Sequence, residues 1–274
     1  MIEIPEGILL ASQLDKQLKH KKIRSVVANA SPHGFAWYEG DPADYGVKFS
    51  GRTVMGAYSY GGKVHLTMSD DAEFLFADGI VFRYLESEDK LPKKHQLCVE
   101  FEDGSYLIAS VRMYGSIQGY VGAYDNGYDE IARVKPSPLS DDFTLEYFAS
   151  LRAASNKKKL SVKGFLATEQ RIPGLGNGVL QDILFDAGIS PRRYLATVGD
   201  EELETLWHSV RRVLSAMTEL SGRDVETDLY GKPGGYKTLM SKNTYPYPCP
   251  RCGGPITREA FLGGSVYYCA HCQQ

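Results

Sequence analysis

Near the N-terminus, Pro5 stands at a helix-start position and Ile8, Ala11, Leu14 and Leu18 follow at three- to four-residue spacing, which predicts one amphipathic helix over about residues 6 to 20. From Val26 to about Arg133 the period shortens. Alternating or β-branched runs such as RSVVANAS, KVHLTMS, EFLFADG, LCVEFEDG and YLIASVRMYG are separated by Gly and Asp-Gly turns, which predicts a β-sandwich or barrel. The segment KPSPLS at 135 to 140 has two prolines and no apolar period, as a linker would. Helical spacing then returns. One helix starts at Ser140 and carries Leu145, Phe148 and Leu151; a second carries Val179, Leu180, Ile183, Leu184 and Ala187 and is closed by Gly188; a long third carries Leu203, Leu206, Val210, Val213, Met217 and Leu220. The pattern therefore predicts an α+β protein with a β-rich part over 1–135, a helical part over 136–225 and a loop-rich, cysteine-bearing part over 226–274.

Composition narrows the class. A chain of 274 residues, 43% hydrophobic and 24% charged, is long enough for more than one core. No apolar stretch approaches the roughly 18 residues of a membrane helix, and the N-terminus lacks a basic segment followed by an apolar one. No membrane partner is expected, and the location expected is cytoplasmic, associated with the nucleoid. The formal charge of -3 offers no basic surplus to advertise a nucleic-acid partner. The charge is uneven, however: residues 1 to 135 carry 15 Lys/Arg against 19 Asp/Glu, and residues 136 to 274 carry 16 against 15. Short basic clusters lie in the second half, at Lys157, Lys158, Lys159 and Lys163, at Arg192 and Arg193, and at Lys232, Lys237 and Lys242, although such clusters are most often solvated faces.

Two constellations carry chemistry. Cys249-Pro-Arg-Cys252 and Cys269-Ala-His-Cys272 are CxxC pairs separated by 16 residues, a spacing at which four thiolates can surround one zinc ion. With no ligand position left open, the zinc is structural, one ion per chain. Cys98 in LCVEF remains unpaired and reads as a buried strand residue. Between the knuckles, ITREAF and SVYY flank Leu262-Gly263-Gly264 and predict a β-hairpin. The second constellation, Gln170-Arg-Ile-Pro-Gly-Leu-Gly-Asn177, puts a glycine turn directly before a helix, where free amides and the Asn177 side chain would form a phosphate site.

The order of these motifs resembles the formamidopyrimidine-DNA glycosylase/endonuclease VIII family over nearly the whole chain: Glu3-Ile-Pro5-Glu6 at the N-terminus, a β-rich domain, GLGN opening a helix that runs into AGISP, and a terminal CxxC/CxxC hairpin ending in CQ. The resemblance implies an N-terminal β-sandwich, a helix-two-turns-helix module and a C-terminal four-cysteine zinc finger, acting as a monomer on double-stranded DNA with a damaged base or an abasic site. In that family the N-terminal amine attacks C1′ of a flipped nucleotide, forms a Schiff base and cuts the strand by elimination. Glu3 then corresponds to the catalytic acid. Lys63 corresponds to a lysine contacting the phosphate beside the lesion, Asn177 to the phosphate-binding asparagine, and Arg112 and Tyr114 of SVRMYG to residues that fill the void left by the flipped base. Lys163 joins this DNA-binding set from the basic cluster.

Two positions depart from the family. Residue 2 is normally proline, exposed by removal of the initiator methionine, and here it is Ile2, which leaves Met1 in place and its amine one residue further out. The hairpin arginine that holds two phosphates falls on Gly264, with Arg258, Lys237 and Lys242 as possible replacements. Three readings follow: a glycosylase and abasic-site lyase using the Met1 amine or a lysine such as Lys63, a non-catalytic reader of damaged DNA, and a zinc-ribbon RNA-binding protein.

Overall fold

The computed structural model describes residues 1–155 and 159–274. Lys157 and Lys158 of the first basic cluster lie outside the described residues. The first helix, α1 (Ile4–Leu18), starts two residues earlier than its apolar spacing suggests. The cause is local: Glu3 sits in extended conformation as the cap, and its backbone N–H donates to the Glu6 carboxylate at 3.3 Å. The helix is shared between two cores. Leu10, Ala11, Leu14 and Leu18 enter the β core and Ile4 enters the helical one. Burial of each leucine stabilises by roughly 1.5–3 kcal/mol.

Seven strands follow: β1 (Ile23–Ala28), β2 (Ala36–Tyr38), β3 (Val54–Tyr60), β4 (Lys63–Met68), β5 (Ala72–Leu85), β6 (Leu97–Phe101) and β7 (Tyr106–Val121). They form one hydrogen-bonded sheet in the order β1-β6-β7-β5-β4-β3, with β2 parallel to β7. Two layers arise because β5 and β7 are long and bend together. The register shifts between Asp78 and Ile80, and Gly79 approaches the other strand so closely that a Cβ there would lie 2.0 Å from the Arg112 carbonyl. The halves fold face to face, and Phe76 meets Phe82 edge-on at 4.8 Å. In β6, Leu97, Val99 and Phe101 point inward, so Cys98 is half-buried on the other face rather than in the core.

The β pattern ends sooner than the sequence suggests. Residues 127–134 form α3 (Gly127–Val134), because Asn126 accepts hydrogen bonds from the amides of Tyr128 and Asp129 and caps a helix there. A short α2 (Tyr45–Phe49) packs on the sandwich through Tyr45 and Phe49.

Four helices make the second core: α4 (Leu145–Ala154), α5 (Val162–Ala167), α6 (Leu180–Ala187) and α7 (Asp200–Glu219). Their caps decide their starts. Thr144, not Ser140, accepts from the Tyr147 amide and opens α4, and Ser161 does the same for α5. Gly188, at φ 70°, closes α6 as its position predicted. After α7 the chain returns to the first core, where Leu229 is fully buried and accepts from the Tyr84 amide at 3.0 Å. The cysteine segment forms the hairpin β8 (Thr257–Phe261) and β9 (Gly264–Tyr268). Its turn is Leu262-Gly263, both at positive φ, and Gly264 is already the first strand residue.

Candidate active-site cleft and metal centre

Close backbone approach explains the glycines of the loop before α6. Gly174, at φ 75°, lies against the β3–β4 turn, where a Cβ would come within 2.2 Å of the Gly61 carbonyl carbon. That turn, Gly61-Gly62, delivers Lys63 to the wall of a cleft of about 1140 Å³ that reaches all three parts of the chain. Gly178 leaves room for Arg223, whose guanidinium would sit 1.7 Å from a Cβ.

The amides at this helix start are not free. Gly178 N and Val179 N donate to the two carboxylate oxygens of Glu3 at 2.8 and 2.7 Å. The phosphate site expected from these amides is therefore filled by the chain's own carboxylate, while Gln170 and Asn177 of that motif line the cleft. Burial raises the Glu3 pKa above the usual carboxylate range, against the pull of Arg223, 3.7 Å away, and of the two amides. Burial also opposes the charge on Glu6, but Arg223 holds both its oxygens, at 2.9 and 2.7 Å, and keeps its pKa below the usual range.

Met1, Lys63, Lys163 and Lys242 bring four amines to the cleft, and the first two are held differently. The Met1 amine is ion-paired with Glu226 at 2.6 Å. Its neighbour Ile2 is fixed as well, with its amide donating to the Asp78 carbonyl at 2.7 Å and its side chain in the β core. The Lys63 Nζ is buried and has no hydrogen-bond partner among the described residues; its nearest charge is Asp129 Oδ1 at 4.0 Å. Burial pulls its pKa down to about 8, with Asp129 and Asp78 opposing.

Asp129 heads a buried chain of charges. Its Oδ2 accepts from Arg133 Nε at 2.8 Å, and its Oδ1 lies 3.1 Å from His65 Nε2 in an ion-pair contact off the ideal donor direction. His65 Nδ1 lies 2.5 Å from Glu73 Oε1, which also accepts from the Tyr120 hydroxyl at 2.7 Å. Burial disfavours the imidazolium, yet the two carboxylates outweigh it and raise the His65 pKa. Tyr58 stacks on the ring at 4.6 Å.

The other predicted residues divide. Tyr114 lines the cleft, 6.0 Å from the Trp37 ring, with its hydroxyl 3.8 Å from Met1 Sδ. Arg112 is exposed at the bend but does not line the cleft, whereas Met113, at φ 65° and 74% exposed, does. Lys163 is buried and donates to the Phe261 carbonyl, so it ties α5 to the hairpin. Arg258 is exposed over the Tyr245 ring at 5.8 Å, away from the cleft lining, while Lys242 lines it. Asn177 Nδ2 donates to the Ser265 carbonyl at 3.0 Å, and its Oδ1 is buried with no partner among the described residues. Gly264 makes this contact possible, since a Cβ there would be 3.1 Å from Asn177 Nδ2. Sequence reasoning did not single out Asp78, Asp129, Arg223 or Glu226, because each acquires its importance from a partner distant in the chain.

The four cysteine sulfurs all lie within 4.8 Å of one another, with Cys249–Cys272 at 3.9 Å and Cys252–Cys269 at 3.5 Å. Zinc–sulfur bonds of about 2.3 Å give a tetrahedron edge of about 3.8 Å, so this donor set fits a structural zinc.

Residues 134–228 match the family model described as the formamidopyrimidine-DNA glycosylase H2TH domain, and residues 248–274 match the zinc finger found in FPG and IleRS. In these two segments the chain is similar to the formamidopyrimidine-DNA glycosylases. Similar curated proteins include the formamidopyrimidine-DNA glycosylase of Carboxydothermus hydrogenoformans, 34% identical over 53% of this chain and 55% of that protein. The Listeria innocua protein of the same name is 26% identical over 70% of this chain and 71% of its own length. The chain thus spans about half the length of the first curated relatives it matches. The likeness of fold covers more. The structure of the MutM (Fpg) protein of Thermus thermophilus matches with TM-score 0.80 at 22% identity, over 99% of this chain and 98% of that one. The Lactococcus lactis Fpg in complex with abasic-site DNA matches with TM-score 0.83 at 23% identity, over 99% of both chains. No helix among the described residues is long and apolar enough to cross a membrane.

Proposed function

We propose that this protein is a cytoplasmic, nucleoid-associated base-excision repair enzyme, a DNA glycosylase with abasic-site lyase activity that works as a monomer and carries one structural zinc. The observation that carries this reading is the convergence of amines and a buried carboxyl on one cleft: Met1, Lys63 and Glu3 line the same space as Asn177 and the hairpin residues. An amine can attack the sugar carbon of an extruded nucleotide, and a carboxyl with a raised pKa can deliver a proton to the leaving base or ring oxygen. Asn177 and Lys242 would meet phosphates, and Tyr114, Trp37 and Met113 offer stacking or wedging surface where a base leaves the duplex. The Lactococcus relative, captured with abasic-site DNA, supports duplex DNA as the partner.

The reader without catalysis has one observation in its favour, the ion pair that occupies the Met1 amine. Incubation with duplex DNA containing an abasic site, with single-stranded DNA and RNA as controls, separates the readings. Strand cutting of the duplex is expected. Tight binding without cutting would select the reader, and preference for RNA would select the zinc-ribbon reading.

A further inference from the structure

The lyase reading needs an amine that can reach the sugar, and the Met1 and Lys63 amines are held differently in the cleft. The Met1 amine is held by Glu226 at 2.6 Å, and the backbone behind it is anchored by the Ile2 amide on the Asp78 carbonyl. Bringing it to the sugar requires breaking both ties. Lys63 Nζ faces the cleft from the first residue of β4, directly after the Gly61-Gly62 turn, and no hydrogen bond to the described residues holds it. We propose that Lys63, rather than the N-terminal amine, is the Schiff-base nucleophile of this chain, and that the buried Glu73–His65–Asp129 chain is the device that positions it. The proposal rests on the lyase reading above.

Three observations converge on Lys63. Its side chain is 12% exposed, so little water competes for the amine. Burial sets its pKa at about 8, which leaves about a tenth of it neutral at pH 7. The charges acting on it are Asp129 and Arg133 from α3 and Asp78 from β5. Of these, Asp129 is held at Oδ2 by the Arg133 hydrogen bond and lies in ion-pair contact with His65 at Oδ1, and His65 is held in turn by Glu73. A carboxylate that could swing would either bond Lys63 directly and quench it or leave it adrift. Held at 4.0 Å, it orients the amine without bonding it.

The chemistry balances without an oxidant or reductant. The neutral Lys63 amine adds to the aldehyde carbon of the opened abasic sugar, forming the C–N bond, and the carbonyl oxygen leaves as water to give a protonated imine. The imine draws electrons from C2′. The C2′ proton passes to a carboxylate of the site, where Glu3 and Asp78 line the cleft, and the C3′–O bond breaks to release the 5′-phosphate end of the downstream strand. Water then hydrolyses the imine and returns Lys63.

The test is borohydride reduction of the full-length protein with abasic duplex, with the adduct mapped by peptide mass spectrometry across a range of pH. The adduct is expected on Lys63, with an acid limb of trapping near pH 8. Acetylation of the N-terminal amine should leave trapping intact, and Lys63→Met should reduce it at least a hundredfold. Asp129→Asn removes a charge that favours the ammonium form, so the acid limb should move about one pH unit lower, and Asp129→Glu should bring it back. A merely structural role for Asp129 would alter yield and leave the limb in place. If Asp129→Asn does not fold, the wild-type limb and the mapped adduct decide. An adduct on Met1, or trapping abolished by acetylation, overturns the proposal while the lyase reading stands. A wild-type protein that neither binds nor cuts abasic duplex overturns both.

Discussion

At the scale of the residue, Lys63 departs furthest from its ordinary behaviour, and the departure is thermodynamic before it is catalytic. In the unfolded chain its amine keeps a proton up to the ordinary value of 10.5, and in the folded chain only up to about 8. Between those values unfolding takes up a proton, so the folded state gains stability as pH rises through that window. Lys63→Met should remove this rise, and the variant should be more stable than the parent at pH 7, where the parent buries an ammonium with no hydrogen bond. Urea unfolding at pH 7 and pH 10 checks the sign, and an unchanged difference between the two pH values would refute it. Lys63 and Glu3 were singled out through the family resemblance, and the structure places both on the cleft, although Lys63 by itself reads as an ordinary strand lysine after a Gly-Gly turn. Their governors were not: Asp129, Glu226 and Arg223 sit in unremarkable segments and take their roles from contacts more than 60 residues away in the chain.

At the scale of the element, the hairpin is held by groups the motif spacing did not reveal. Gln273 accepts from the Cys269 amide and donates to the Ile189 carbonyl, and the terminal Gln274 exchanges hydrogen bonds with Gly188 and Ser190. The knuckles are thereby joined to the end of α6. Chelation or Cys252→Ser should loosen β8–β9 and weaken abasic-duplex binding sharply while the β core stays folded, because metal and hairpin fold together. Intact affinity after complete chelation would sink this. Asn177, which donates to Ser265 in the hairpin, couples the glycine loop to β9. Asn177→Ala should lower affinity with little change in salt dependence, whereas Lys242→Ala should flatten the salt slope by about one unit, as loss of one phosphate contact does. Titrations at several salt concentrations distinguish the two. The hydrophobic period gave the strands and the long helices, but the caps at Asn126 and Thr144 reset their limits, and α3 lay hidden in what read as strand.

At the scale of the whole molecule, the net charge of -3 carries no basic surplus, and the cleft lining sets Lys63, Lys163, Arg223 and Lys242 beside Glu3, Asp78, Glu169 and Glu226, so the proposed hold on DNA would rest on individually placed contacts rather than on a field over the surface. The β core, the helical core and the hairpin were foreshadowed by three different periodicities. Their mutual placement was not, because it depends on chain returns such as Leu229 entering the first core after α7. The helix α1 belongs to both large cores, with Ile4 on one side and Leu14 and Leu18 on the other. On the proposed function this shared helix ties the two walls of the cleft together, so that a seated duplex would be the partner that bends, at a cost on the order of 1–6 kcal/mol for a smooth bend. Lesions that soften the helix, such as a missing base, would then be selected mechanically, by how readily the DNA yields, before any chemical group inspects them.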